Sequence, residues 1–331
     1  MREADTITMM CVCDDHYFVL LAALVKSIEV NHITSEHLLF YIVEDSVSEQ
    51  NRNKLLASID ETKTSLRFVK MEEFAPKNVK LPVDTSSYPS NIYMRLFIPY
   101  FLPKEMEKVI YLDVDMIVLK DISILWHQEM GKNIIAAVQD PWVKIVSRWG
   151  GVENYQEFNL QEQAKYFNTG LLIMDLKKWR DNDVTTKVIR CVNENKEHAH
   201  FPDQYGLNVV LANDWMELDP LWNCFAYHEG HHPYLIHFSG RKPIYRSYNF
   251  KEEYRAIFFE YLKMTRWSEF RPIGETKRYL KKLSNFINKL GKFKSNPIIT
   301  NVSSSNRYKI MVDRVKNIYK FKIISIINLI L

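Results

Sequence analysis

The sequence predicts an α/β protein with a mostly parallel sheet, followed by a basic helical tail. Three observations carry this expectation. Apolar strand-like runs alternate with helix-like segments through the first 70 residues. A β-α-β-α-β order of this kind builds parallel sheets with right-handed crossovers. One near-continuous apolar run, residues 109–119, has the composition of a strand buried on both faces. The charge is also unevenly spread. Residues 273–331 carry 13 Lys and Arg against 2 Asp and Glu, a net of +11, while residues 1–272 carry 31 against 38, a net of −7.

Residues 6–13 read as the first strand, with Cys11 and Cys13 as buried, reduced small residues rather than metal ligands, since no Cys-x-x-Cys occurs. Asp14 and Asp15 follow at the strand end, before an apolar helix over 18–30. Ligands of parallel sheets sit beyond the carboxyl ends of strands. Asp14 is therefore placed to meet one, or else only caps the helix. A strand over 38–43, a helix over 48–59 and a strand over 66–69 continue the alternation. Residues 75–91, rich in Pro and Ser, read as a loop. A short helix over 92–98 carries one cation, Arg95, with a solvated helix position as the plain alternative.

The run over 109–119 is read as one strand carrying Asp113 and Asp115. Positions two apart on a strand share a face. Unpaired buried charge is costly, so two such carboxylates are normally paired or bound to metal. They suit a hard divalent cation, Mg2+ or Mn2+, that also holds substrate phosphates. Further strands are expected over 134–138 and, after a turn, up to residue 175; short helices follow at 176–180 and 201–208. Asn168 is a candidate for ligand binding or simply a turn residue before Gly170. Residues 227–232 form a His-rich loop, and 234–243 a strand ending in a glycine turn. His228, His231 and His232 have no cysteine partner nearby and read as loop rather than a zinc site.

The chain begins without signal-peptide features, and no apolar stretch reaches the ~20 residues of a membrane span. With 47% hydrophobic and 25% charged residues, the composition is that of a globular protein. The expected organisation is a catalytic domain over 1–272 and a tail over 273–331. In the tail, Leu280, Leu283, Ile287 and Leu290, and then Val312, Val315, Tyr319, Ile323 and Ile326, fall at helical spacing with lysines between them. Basic amphipathic helices of this kind lie in anionic membrane interfaces, and the alternative is an ordinary surface helix packed on the domain. Aromatic residues at core spacing argue against nucleic acid as the partner.

Six ordered motifs resemble the family 8 glycosyltransferases over residues 6–270: Asp14 to Tyr17 after Cys13, Tyr93 to Leu96, Tyr111 to Asp115, Phe167 to Trp179, Pro202 to Gln204, and His237 to Pro243. The resemblance implies a GT-A-like nucleotide-sugar-binding domain. It implies a retaining transferase that moves a hexose, galactose or glucose, from a UDP-sugar to a glycan or lipid-linked acceptor in lipopolysaccharide or capsule synthesis. Asp113, Asp115 and His237 would ligate Mn2+, or Mg2+, although a lone histidine here would read as a satisfied core residue. Val12, Asp14 and His16 would meet the uracil, and Gly240 and Lys242 the diphosphate. Arg95, Asn168 and Asp203 would bind the donor sugar, with Gln204 beneath the anomeric carbon. Asp140 is a weaker candidate near the acceptor, or a cap for the turn at Pro141. The expected location is cytoplasmic, peripheral on the inner membrane face. The rival reading is a haloacid-dehalogenase-type phosphatase with Asp113 as nucleophile. Such a motif usually sits near the N-terminus, whereas here more than 100 residues precede it.

Overall fold

The computed structural model describes residues 6–74, 81–82, 90–228 and 232–276. The expected tail helices over 277–294 and 307–331, and most of the loop over 75–91, lie outside them. The first units follow the alternation: β1 (Thr6–Asp14), α1 (Phe18–Asn31), β2 (His37–Asp45), α2 (Glu49–Leu56) and β3 (Thr64–Lys70). Ser48 caps α2 through its side chain, which accepts from Asn51 N. α1 is apolar on nearly every side and correspondingly buried. It packs against a later strand and a later helix as well as the sheet.

A one-turn helix, α3 (Met71–Phe74), and a 3-10 segment, Ser90–Phe97, lead into α4 (Ile98–Phe101). Then come β4 (Lys108–Leu112), β5 (Met116–Val118), α5 (Ser123–Trp126), β6 (Ile135–Gln139) and β7 (Phe167–Asp175). The rest is α6 (Leu176–Asp181), α7 (Val184–Glu194), α8 (Pro202–Val210), β8 (Trp215–Glu217), β9 (Cys224–Phe225), β10 (Leu235–His237) and α9 (Glu252–Lys263). The central sheet has the order β3-β2-β1-β4-β7-β6-β8. Its pairs are parallel except β4 with β7 and β7 with β6. A small second sheet runs β5-β10-β9.

Side-chain alternation splits the core. From β1, Met9, Cys11 and Cys13 join the cluster with α1, α9 and the small sheet, while Met10 joins the cluster with α4 and α6 to α8. All four cysteines are free, and Cys11, Cys13 and Cys191 are buried. The chain winds outward through β2 and β3, then returns to place β4 on the other side of β1. That reversal is the switch point at which open α/β sheets leave a crevice. Among the described residues no helix is long and apolar enough to cross a membrane.

Several expected boundaries move. The run over 109–119 is not one strand: it breaks at Asp113–Asp115, and β4 and β5 belong to different sheets. Two carboxylates inside a ladder would be buried without partners; at the break Asp113 is half-buried and paired with Arg95, while Asp115 stays buried against Lys242. The backbone there is held instead by Asp113 N to Gly170 O at 2.7 Å and Phe238 N to Asp115 O at 2.8 Å. Asn168 is a strand residue, not a turn residue, because β7 starts at Phe167. The expected strand over 234–243 is only three residues long. Ile273, the first residue of the expected tail, is tied to the body: its N donates to Ile244 O at 2.9 Å, and its O accepts from Arg246 N at 2.9 Å.

Candidate active site

The carboxyl ends of β1, β4 and β6 bring Asp14, Asp113 and Asp140 to one edge of the sheet. Because β7 runs antiparallel to β4 and β6, its amino end, with Asn168, arrives at the same edge. β10 contributes His237, paired in register with Met116 just past the break.

Ligand atoms of Asp113, Asp115 and His237 lie within 4.8 Å of one another. Asp113 uses one oxygen, Oδ1, for Tyr111 OH at 2.7 Å and Arg95 Nη2 at 3.1 Å. Asp115 Oδ1 faces His237 Nε2 at 3.6 Å, too far for a hydrogen bond. The ammonium of Lys242 bonds Asp115 Oδ2 and donates to Phe238 O at 2.9 Å. Burial raises the Asp115 pKa, but Lys242 and His237 together outweigh it and hold the carboxyl far below its ordinary value. Two carboxylates and an imidazole converge here, each carboxylate paired with a cation, Asp113 with Arg95 and Asp115 with Lys242, and this oxygen-and-nitrogen donor set fits a divalent transition metal. A Cβ at Gly170 would stand 2.8 Å from His237 Cε1, so glycine is what lets this ring approach β7.

Arg95 is not solvated. It is buried, its face lies over the Tyr111 ring, and it pairs with Asp113 and, through Nε at 3.2 Å, with Asp203 Oδ2. Its Nη1 also donates to Thr169 O at 2.5 Å. Burial raises the Asp203 pKa above the usual carboxylate value, against the opposing pull of Arg95. Gln204 is buried next to it on the first turn of α8. Gln204 Oε1 accepts from Thr169 N at 3.1 Å and Asn168 Nδ2 at 3.2 Å, and its Nε2 donates to Asp140 Oδ2 at 3.2 Å. Asp140 caps the turn at Pro141 and also faces the site. Oδ1 caps the turn by accepting from Trp142 N and Val143 N, while Oδ2 also accepts from Asn168 Nδ2 at 2.9 Å.

The remaining candidates sit on the β1 side. Val12 is half-buried near the end of β1. Asp14 caps the 3-10 turn Asp15–Tyr17, accepting from Tyr17 N at 3.0 Å, rather than the helix α1 itself, whose N-cap is Tyr17. His16 Nε2 hydrogen-bonds Tyr245 OH at 2.8 Å. Tyr245 also donates to Tyr17 OH at 3.3 Å, so the loop with Gly240 and Lys242 is fastened to the turn after β1. Gly240 has φ +88°, a conformation that favours glycine. In the His-rich loop, His228 is half-buried against Phe225 and Tyr227, and His231 lies outside the described residues.

Sequence reasoning missed three residues. Tyr111 and Tyr166 look like core aromatics, and Asn223 lies in a 3-10 turn with no motif around it. Tyr166 hides a signal, since it stands directly before the Phe167 motif, and its hydroxyl lies by the Gln204 side chain. No spacing rule would have found Asn223.

The family model for "Glycosyl transferase family 8" matches residues 8–243, and the chain belongs to that family. The general stress protein A of Bacillus subtilis is 28% identical over 81% of this chain and 97% of its own length. Probable galacturonosyltransferase-like 4 of Arabidopsis thaliana is 28% identical over 72% and 73%. Among solved structures, the galactosyltransferase LgtC in complex with donor and acceptor sugar analogs superimposes with TM-score 0.64 at 23% identity, covering 82% of this chain and 99% of LgtC. The bifunctional glycosyltransferase WbbM reaches TM-score 0.68 at 21% identity over 80% of this chain, which spans about half (51%) of WbbM. These likenesses give the fold as GT-A-like with a mostly parallel sheet. The protein is a glycosyltransferase, which decides the Asp-x-Asp motif against the phosphatase reading.

Proposed function

We propose that this chain is a retaining, metal-dependent hexosyltransferase. It moves galactose or glucose from a UDP-sugar to a glycan or lipid-linked acceptor in cell-surface polysaccharide synthesis, at the cytoplasmic face of the membrane. One observation carries the reading: the Asp113, Asp115 and His237 cluster shares Arg95, through Asp113, with Asp203 and, at Thr169, with the Gln204 network.

Val12, Asp14 and His16 receive the uracil. The loop at Gly240 and Lys242 receives the diphosphate, with glycine allowing close backbone approach and lysine supplying a point charge. Asp113, Asp115 and His237 would hold a divalent cation, Mn2+ by preference for the imidazole, and that cation would supply positive charge to offset the leaving diphosphate. Arg95, Asn168 and Asp203 orient the sugar hydroxyls. Gln204 lies under the anomeric carbon, and its carbonyl is already engaged by Thr169 N. An engaged amide oxygen is a poor nucleophile. The acceptor hydroxyl therefore attacks from the face the diphosphate leaves, its proton passes to the departing phosphate oxygen, and the α configuration is kept. The solved neighbours support an active-site glutamine, since LgtC was also solved as an active-site mutant carrying glutamate in place of glutamine. The basic tail, by its sequence, attaches the enzyme to an anionic membrane surface; no nucleic acid is expected as a partner.

The test is hydrolysis of UDP-galactose, UDP-glucose and, in view of the plant relatives, UDP-galacturonate, with Mn2+, Mg2+ or chelator. Hydrolysis of a hexose donor that requires Mn2+ and is lost in Asp115→Asn supports the reading, and full activity of that variant in chelator refutes it. The anomeric coupling of the transfer product must report an α linkage.

A further inference from the structure

Asn223 is fully buried and bridges the two halves of the site. Its Nδ2 donates to Asn168 Oδ1 at 2.9 Å, and its Oδ1 meets His237 Nδ1 at 2.8 Å. One backbone group fixes the protons along this path. Gly170 N–H can only donate, and it meets an Asn168 side-chain atom at 3.0 Å, so that atom is the oxygen. The amide nitrogen of Asn168 then faces Asp140 Oδ2 and Gln204 Oε1, both acceptors. Asn223 must turn its nitrogen to the Asn168 oxygen and its own oxygen to His237. An amide oxygen only accepts, so Nδ1 of His237 carries the proton. In the neutral ring Nε2 keeps its lone pair, and it points at the Asp115 carboxylate.

We propose that Asn223 is a positioning residue that locks His237 in the Nδ1–H tautomer and aims the Nε2 lone pair into the Asp113 and Asp115 cluster as a ligand for a divalent transition metal. Through Asn168, the same bonds tie that ligand to Asp140 and Gln204 on the transfer side. The ligand part rests on the metal reading above; the tautomer part does not. Partners that orient a ligating imidazole are worth about 10- to 100-fold in metal affinity.

The first measurement needs no metal. In metal-free protein labelled with 15N-histidine, long-range proton–nitrogen correlation spectra distinguish the two tautomers, with His237→Gln assigning the signal. Wild type should show the proton on Nδ1, the opposite of the form free histidine favours in water. Asn223→Ala should move it towards Nε2. An Nε2–H signal in wild type, or an unchanged ring in Asn223→Ala, overturns the proposal. Wild type alone decides if Asn223→Ala fails to fold. The second measurement is Mn2+ binding in the presence of UDP, read by electron paramagnetic resonance. In folded protein Asn223→Ala should weaken it about 10- to 100-fold, and unchanged affinity overturns the positioning role. If His237→Gln and Asp115→Asn also bind Mn2+ normally, the metal reading itself has failed, and the tautomer result stands apart from it.

Discussion

At Asp115, burial opposes ionisation, and the Lys242 ammonium, with His237, outweighs it. Lys242 thus stands where a metal would find its charge partner, while the proposed mechanism needs it on the diphosphate. Lys242→Met should therefore bind Mn2+ more tightly without nucleotide, by about tenfold or 1.4 kcal/mol, and lose that advantage once UDP is present. Paramagnetic resonance titration checks this, and an affinity unchanged without nucleotide would show that the ammonium does not compete. Tyr166 makes a different case. Its hydroxyl is buried and has no hydrogen-bond partner among the described residues. Leaving such a group unmade costs about 1–3 kcal/mol. Tyr166→Phe should raise the melting temperature by about 2 °C per kcal/mol regained, and a fall in calorimetry would mean the hydroxyl is satisfied in solution. Neither situation was legible in the sequence, which showed Lys242 as a motif residue and Tyr166 as one more aromatic. Burial and partner atoms turn residue types into functional states.

At the level of elements, Asp121 holds the turn after α1 against the start of α5. It accepts from Ile33 N at 2.9 Å, Ser123 N at 2.9 Å and the His32 ring at 2.9 Å. Burial raises its pKa, but the two backbone N–H groups and His32 outweigh burial and hold it far below the ordinary value. A depressed carboxyl stabilises the fold fully above its unfolded pKa of about 3.9, and the contribution is lost as pH falls below that. Asp121→Asn should cost about 2–3 kcal/mol at neutral pH, and its gap to wild type should shrink between pH 5 and about 2. Urea unfolding across that range measures it, and a gap independent of pH would mean that charge at this position is irrelevant. The strands β1 to β3 and their helices were legible because apolar runs of the right length alternate there. β4 and β5 were not, because a break caused by two carboxylates leaves the hydrophobic pattern over 109–119 continuous. β9, only two residues long, offers no pattern to read at all.

For the whole molecule, the reversal of strand order beside β1 gathers groups from across the described residues at one edge of one sheet. The bridge at Ile273 fastens the first residue of the basic tail to that body. A protein ending at Thr276 should keep its melting temperature and its hydrolysis of the UDP-sugar. It should no longer sediment with phosphatidylglycerol vesicles at low salt, whereas the full chain should. If the full chain also stays in the supernatant, the membrane role of the tail fails while the catalytic reading is untouched. The sequence by itself determined the α/β class, the family, and the residue types that gather at the edge, since periodicity and ordered motifs are local properties. The direction of β7, the burial of Arg95, the contact of Lys242 with Asp115 and the place of Asn223 were decided only in three dimensions. Each depends on groups distant in the chain meeting in a space that excludes water, and there a hydrogen-bond partner or a neighbouring charge decides what a side chain can do.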